Sequence, residues 1–266
     1  MNPSTQSASS ETPEAPRVLG FTGSPNFRDA GGYRAEGGQL RRGQVFRSGH
    51  LADLTEEDQQ RLAALDLTLV VDLRRADERE LEPSRLPAGV TVHGANITPG
   101  SQASAIYSDS TQLGGAEAMR QFMCDINREF VRSQSEVYRE VFTVLLDSGA
   151  ERVLFHCSAG KDRTGFAVAM LQAALGVAQE GIEADYLLSR HYYLIEEQMA
   201  RVRRKYSVDH LSDADLAPMM RTDPAYLQAA MDEIGARWGD RELFLEEGLG
   251  LGPVERRELR RRFVGA

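Results

Sequence analysis

The chain has 266 residues, 41% hydrophobic and 27% charged, enough for a substantial core in one large domain or two small ones. A net charge of −9 argues against a general nucleic-acid binder, whose surface must neutralise phosphates, yet leaves room for a small basic pocket. No stretch approaches the roughly 20 apolar residues of a membrane helix, and two cysteines, Cys124 and Cys157, are too few for a disulfide scaffold.

A reduced, cytoplasmic protein is the simplest expectation. The first residues lack the basic and apolar regions of a signal peptide, so the alternative is export without a recognisable one. Met1 to Pro16 is rich in Ser, Thr, Pro and Glu and reads as a disordered tail, residues 1–16, ahead of one domain spanning 17–266.

Along that domain, Thr55 with Asp58 three residues later predicts a capped helix running to Leu65. The apolar runs Leu69 to Leu73 and Val90 to His93 predict short strands buried on both faces. Met119, Phe122, Met123, Ile126 and Phe130 mark one helix face, and Val137 to Leu145 another. Arg152 to His156 is a third strand. Thr164 to Leu175 is apolar nearly all round and predicts a buried helix stopped by Gly176. Further helices are expected over Gln179–Arg204, Pro224–Trp238 and Pro253–Phe263. Gly248 to Gly252 follows no strand and reads as a helix connection. Strands giving way to helices imply an α/β fold: a central, mostly parallel sheet flanked by helices, with a helix-rich C-terminal half.

The chemically informative segment is His156-Cys157-Ser158-Ala159-Gly160-Lys161-Asp162-Arg163-Thr164-Gly165. A strand ends at a cysteine, five residues follow, and an arginine opens a helix. Such a loop closes into a bowl whose backbone N–H groups point inward, with the positive end of the helix below. The bowl suits a phosphate dianion and a thiolate at its floor. Arg163 supplies a planar fork for two phosphate oxygens, and Gly160 permits the turn. Thiolate attack on phosphorus, then hydrolysis of the phosphocysteine, requires no metal or other cofactor.

This segment resembles the His-Cys-x5-Arg-Ser/Thr signature of protein-tyrosine phosphatases. The Gly-Lys-Asp-Arg-Thr-Gly form looks like that of the bacterial tyrosine phosphatases that also hydrolyse phosphoinositides. Asn26 to Tyr33, Phe46 to Leu51, Val70 to Arg74 and Glu183 to Ser189 resemble further segments of that family, in the expected order. The resemblance implies Cys157 as nucleophile and Arg163 as phosphate ligand. It implies Ser158, Ala159, Gly160, Lys161 and Asp162 as the rest of the loop, and Thr164 as a hydrogen-bond partner of Cys157. Lys161 would be an extra cation for a highly charged headgroup; the simpler reading is a solvated rim charge. The implied partners are phosphotyrosine proteins and, as an open extension, phosphoserine, phosphothreonine and phosphoinositides.

Some relatives carry a Phe-Pro-Asp general acid after the strand matching Val90 to His93. Here Gly94 to Gly100 has no acid, and the next is Asp109. Asp162 is therefore the first candidate for the proton donor and Asp72 the second, although a tie to Arg74 is the favoured reading of Asp72. His156 should point away from Cys157 and bond to loop carbonyls. Arg28 and Asp29 read as a structural ion pair, His50 as a turn residue, Cys124 as a packed thiol, and Tyr192, Tyr193 and Ile195 as a core stripe rather than a lid. Two alternatives stay open: a rhodanese-like sulfurtransferase, and a catalytically dead phospho-binding module.

Overall fold

The computed structural model describes residues 19–98 and 115–266. The expected tail and Asp109 lie outside the described residues. The strands in chain order are β1 (Arg28–Asp29), β2 (Arg34–Ala35), β3 (Gly38–Leu40), β4 (Val45–Ser48), β5 (Leu69–Asp72), β6 (Thr91–Gly94), β7 (Val153–His156) and β8 (Val264–Gly265). Five form the main sheet in the order β1-β4-β7-β5-β6. Strands β4, β7, β5 and β6 are parallel, and β1 closes one edge antiparallel to β4. β2, β3 and β8 make a small antiparallel sheet that ties down the C-terminus.

The main sheet separates two apolar layers, and strand alternation decides which side chain enters which. Val45, Leu69, Val71, Val153 and Phe155 enter the larger layer, beneath most of the helices. Phe46, Val70 and Leu154 face the smaller one, with Phe27, Leu51, Leu54 and Leu62. The expectation of strands buried on both faces therefore holds for β5 and β7. It fails for β6, where Val92 is 50% exposed, because β6 is a sheet edge.

The helices are α1 (Glu56–Ala63), α2 (Ala76–Leu81), α3 (Ala116–Arg132), α4 (Ser135–Asp147), α5 (Asp162–Ala174), α6 (Gln179–Leu187), α7 (Ser189–Tyr192), α8 (Ile195–Tyr206), α9 (Asp213–Met220), α10 (Pro224–Trp238), α11 (Arg241–Leu243) and α12 (Pro253–Phe263). Thr55 caps α1 as expected: Asp58 N–H donates to its hydroxyl, and the Asp58 carboxylate accepts from Thr55 N–H. Gly176, at φ +80°, ends α5.

The expected single helix from Gln179 to Arg204 is three pieces instead. At the second break the Tyr192 carbonyl accepts Asn26 N–H (2.9 Å), and Tyr193 is extended and turned inward, nearly buried. Helix periodicity carries no sign of such a break, because both tyrosines suit a helix face. α9 went unpredicted; Pro218 within it interrupts the pattern that would announce it.

Candidate active site

β7 and α5 meet at the loop from Cys157 to Lys161, at the C-terminal end of the central strand, where open parallel sheets place their ligands. The Cys157 thiol is buried and accepts Gly160 N–H at 3.2 Å. Gly160 has φ +69°, and a Cβ there would stand 2.4 Å from the backbone of Ser48. Glycine is thus required both by conformation and by space.

The outer side of the loop is held by its carbonyls. Asn26 Nδ2 donates to Gly160 O (2.9 Å) and Ala159 O (3.2 Å). Arg47 Nη2 donates to Gly160 O (2.8 Å) and Lys161 O (3.3 Å), and His50 N–H donates to Ser158 O (2.9 Å). With the carbonyls drawn outward, N–H groups are turned toward the bowl.

Asp185 on α6 in turn holds the holders. It accepts Arg47 Nη1 at 2.6 Å and pairs with Arg28 Nε at 3.5 Å, all three side chains being essentially inaccessible. Arg28 also reaches Asn26 and Ser189 Oγ. Burial, reinforced by the neighbouring Arg47 and opposed by Asp185, lowers Arg28 to about 10. The expected Arg28–Asp29 pair is not what forms: Arg28 pairs with Asp185, and Asp29 accepts the N–H groups of Gly31 and Gly43.

Arg163, in the first turn of α5, is gripped by Glu78 of α2: Nη1 donates to Oε2 (2.6 Å) and Nη2 to Oε1 (3.2 Å). Burial alone would lower the arginine, but Glu78 and the Cys157 charge push it above its ordinary range. Glu78 also accepts Ser158 Oγ–H (2.7 Å) and Arg75 N–H (3.0 Å), and Lys205 Nζ of α8 stands 2.8 Å from its Oε1. Burial pushes the Glu78 carboxyl up, yet Arg163 and Lys205 outweigh it and hold it well below the carboxylate range. Sequence reasoning missed both Glu78 and Lys205. The only available signal for Glu78 was an acid three residues after Arg75, at a capping position. For Lys205 there was none beyond a basic helix face.

Lys161 contradicts both expectations for it. Its side chain is buried, and Nζ donates to the carbonyls of Met219 (2.8 Å), Met220 (3.0 Å) and Arg221 (3.0 Å) at the end of α9. Its charge lies 5.3 Å from the Tyr193 ring centroid. Burial lowers its pKa. It is a helix C-cap: neither a solvated rim charge nor an ammonium offered to substrate, so only its backbone belongs to the bowl.

Thr164 Oγ1 is buried with no hydrogen-bond partner among the described residues, so the expected bond to Cys157 does not form. His156 is fully buried; its Nε2 lies 3.3 Å from Asp72 Oδ2 and bonds to no loop carbonyl. Asp72 also binds Arg74 through Nε (2.9 Å) and Nη2 (2.7 Å). Burial pushes Asp72 up, but His156 and Arg74 hold it well below the usual range, ionised and without a proton to give. Asp162, at the opening of α5, has one carboxylate oxygen 3.9 Å from Lys161 Nζ and the other buried without a partner among the described residues. His50 is buried beside the loop, in no assigned turn, and burial and Arg201 lower it to about 3, leaving it neutral. Cys124 is a buried free thiol on α3, and burial raises its pKa.

Comparison with known proteins follows the same lines. A family model described as the tyrosine phosphatase family matches residues 19–265. A candidate tyrosine-protein phosphatase of Cupriavidus necator is 35% identical over 91% of both chains. The triple specificity protein phosphatase PtpB of Mycobacterium tuberculosis is 30% identical over 77% of this chain and 79% of its own. A tyrosine-protein phosphatase of Nostoc commune is 32% identical over 55% of this chain and 48% of its own.

Proposed function

The chain belongs to the tyrosine phosphatase family, cysteine-dependent phosphomonoester hydrolases, and from that premise we propose that Cys157 is its nucleophile and Arg163 its phosphate clamp. Membership counts against sulfur transfer, and the presence of both Cys157 and Arg163 counts against a non-catalytic phospho-binding module. The observation that carries the assignment is the loop's construction. Its carbonyls are bonded outward to Asn26, Arg47 and His50, its Gly160 N–H is on Cys157 Sγ, and Arg163 is fixed by Glu78.

A phosphoryl group seated in that bowl presents phosphorus to the thiolate. The S–P bond forms as the P–O bond to the leaving group breaks, and Arg163 with the loop N–H groups takes up the charge on the equatorial oxygens. The departing oxygen needs a proton. Asp162 is the donor in our reading, since its carboxylate has an unpartnered oxygen at the loop's end while Asp72 is committed to Arg74 and His156. Water then attacks the phosphocysteine, giving up a proton to the same carboxylate, and inorganic phosphate leaves.

The substrates proposed are phosphotyrosine proteins first, then phosphoserine, phosphothreonine and phosphoinositides. The name of the M. tuberculosis relative, triple specificity, supports breadth. The Lys161 ammonium does not, because it is taken up by α9. Initial rates on matched phosphotyrosine, phosphoserine, phosphothreonine and phosphoinositide substrates test this, with Cys157→Ser as control. Turnover surviving Cys157→Ser would overturn the mechanism. Asp162→Asn should cost about 10²-fold or more on an alkyl phosphate and much less on para-nitrophenyl phosphate; equal losses would exclude it as the proton donor.

A further inference from the structure

We propose that Lys205 is a second cationic ligand of the substrate phosphoryl group, brought to the bowl from α8; this rests on the reading of the Cys157 loop as a phosphoryl site. Its ammonium lies 2.6 Å from Ser158 Oγ, one residue past the nucleophile, and its side chain is only 9% exposed. Ser158 Oγ is also 3.4 Å from Arg163 Nη2, so the two cations approach the same hydroxyl from different elements.

The balance of buried charge points the same way. Glu78, 2% exposed, is shared between Arg163 and Lys205, through Oε1 at 3.2 Å and 2.8 Å. The next carboxylate, Glu82, stands 3.7 Å from Lys205 through Oε2, while its Oε1 is engaged at 2.7 Å by Arg201. Two cations sharing the buried Glu78 carboxylate favour an arriving dianion. Phosphoryl transfer uses such cations on its equatorial oxygens.

Chemistry and reach agree. The loop's own second cation, Lys161, is withdrawn to the carbonyls of α9, which leaves Arg163 as the loop's cation at the bowl. Lys205 supplies from another element the charge that Lys161 does not. A flexible four-carbon stem lets its ammonium pass from Ser158 to a phosphate oxygen without moving α8.

The test uses the full chain carrying Cys157→Ser, titrated calorimetrically with tungstate, a phosphate-shaped dianion, at fixed ionic strength. Lys205→Ala should weaken binding at least tenfold, as loss of a charge-assisted hydrogen bond does, roughly. Lys205→Gln, which keeps a donor toward Glu78 and Ser158 but loses the charge, should weaken it too, and Lys205→Arg should recover part. The loss should persist when Glu78 is already Gln. Unchanged affinity in folded Lys205→Ala and Lys205→Gln overturns the proposal. So does a loss that vanishes in the Glu78→Gln background, since Lys205 would then act only by holding Glu78. If the chain with Lys205 intact binds no tungstate, and the parent releases no phosphate from para-nitrophenyl phosphate, the reading of the Cys157 loop fails and takes this proposal with it.

Discussion

Glu78 carries several burdens at one carboxylate: it accepts Arg75 N–H at the N-terminus of α2 and Ser158 Oγ–H, pairs with Lys205, and holds the fork of Arg163 through both oxygens. Removing its charge while keeping its shape separates them. Glu78→Gln keeps a carbonyl oxygen for one donor but leaves Arg163 free to turn. We expect kcat/KM to fall about 10- to 100-fold, with little change in the far-ultraviolet spectrum, because a buried charge-assisted bond of this kind contributes roughly 1.5–3 kcal/mol. A fall in melting temperature with unchanged kinetics would assign Glu78 to stability alone. Lys161 offers the converse case. Lys161→Met removes three bonds to the end of α9 and leaves the loop backbone intact, so stability should suffer more than turnover. Comparing melting temperature with the initial rate on para-nitrophenyl phosphate decides it.

At the scale of elements, the Cys157 loop depends on a layer it does not contain. Arg47 on β4, Arg28 on β1 and Asp185 on α6 form a buried set in which one carboxylate serves two guanidiniums. Asp185→Ala leaves both arginines buried without that charge, which costs about 3–5 kcal/mol. Denaturant unfolding should show the loss, and the activity remaining in the folded fraction should fall as well, because Arg47 also holds Gly160 and Lys161. Gly160→Ala tests the loop from inside. A Cβ at 2.4 Å from the Ser48 backbone must displace β4 or the loop, so activity should be lost even where the chain still folds.

This layer shows how far the sequence can be read. Asn26, Arg28, Arg47, Asp185 and Ser189 all fall in segments recognised as family-like, so their importance was legible. Their partners were not: Arg28 and Asp185 are far apart in the chain, and no local pattern pairs them, whereas the adjacent Asp29 looked like the obvious partner. The capped α1, the strands β5 and β7 and the helices α10 and α12 were legible because caps, apolar runs and terminal prolines act locally. Lys161 was misread for the opposite reason. Its neighbours in sequence belong to the bowl, but its long side chain reaches α9, some 58 residues onward.

For the whole molecule, pH acts through buried groups that favour one charge state. His50 has a folded-state pKa of about 3 against 6.5 unperturbed, so the unfolded chain binds the proton more readily. The stability it contributes is complete above about pH 6.5 and is lost as pH falls toward 3. Asp72 and Glu78, both held below their ordinary values of 3.8 and 4.5, add a second loss beginning near those values and deepening as pH falls. Unfolding free energy measured from pH 8 to pH 4 should therefore be flat at first and then decline. His50→Gln should flatten the upper part of that decline, between about pH 6.5 and 4.5, and a profile identical to the parent's would remove His50 from the account.

The strand order has a consequence for synthesis. β7 lies at the centre of the main sheet but is the last of its five strands along the chain. Until it has left the ribosome, nothing in the main sheet joins β1 and β4 to β5 and β6, and the edges of β4 and β5 that β7 fills lack their partner. At roughly 5–20 residues per second they wait several seconds in that state, the condition in which nascent chains stick to one another or recruit chaperones. Cys157 is made directly behind the strand that joins them, before Asp185 and Lys205 are added to the chain. The sulfur proposed as nucleophile is therefore made before its cradle is complete, and an oxidant meeting the chain during translation would reach it before the finished fold can shield it.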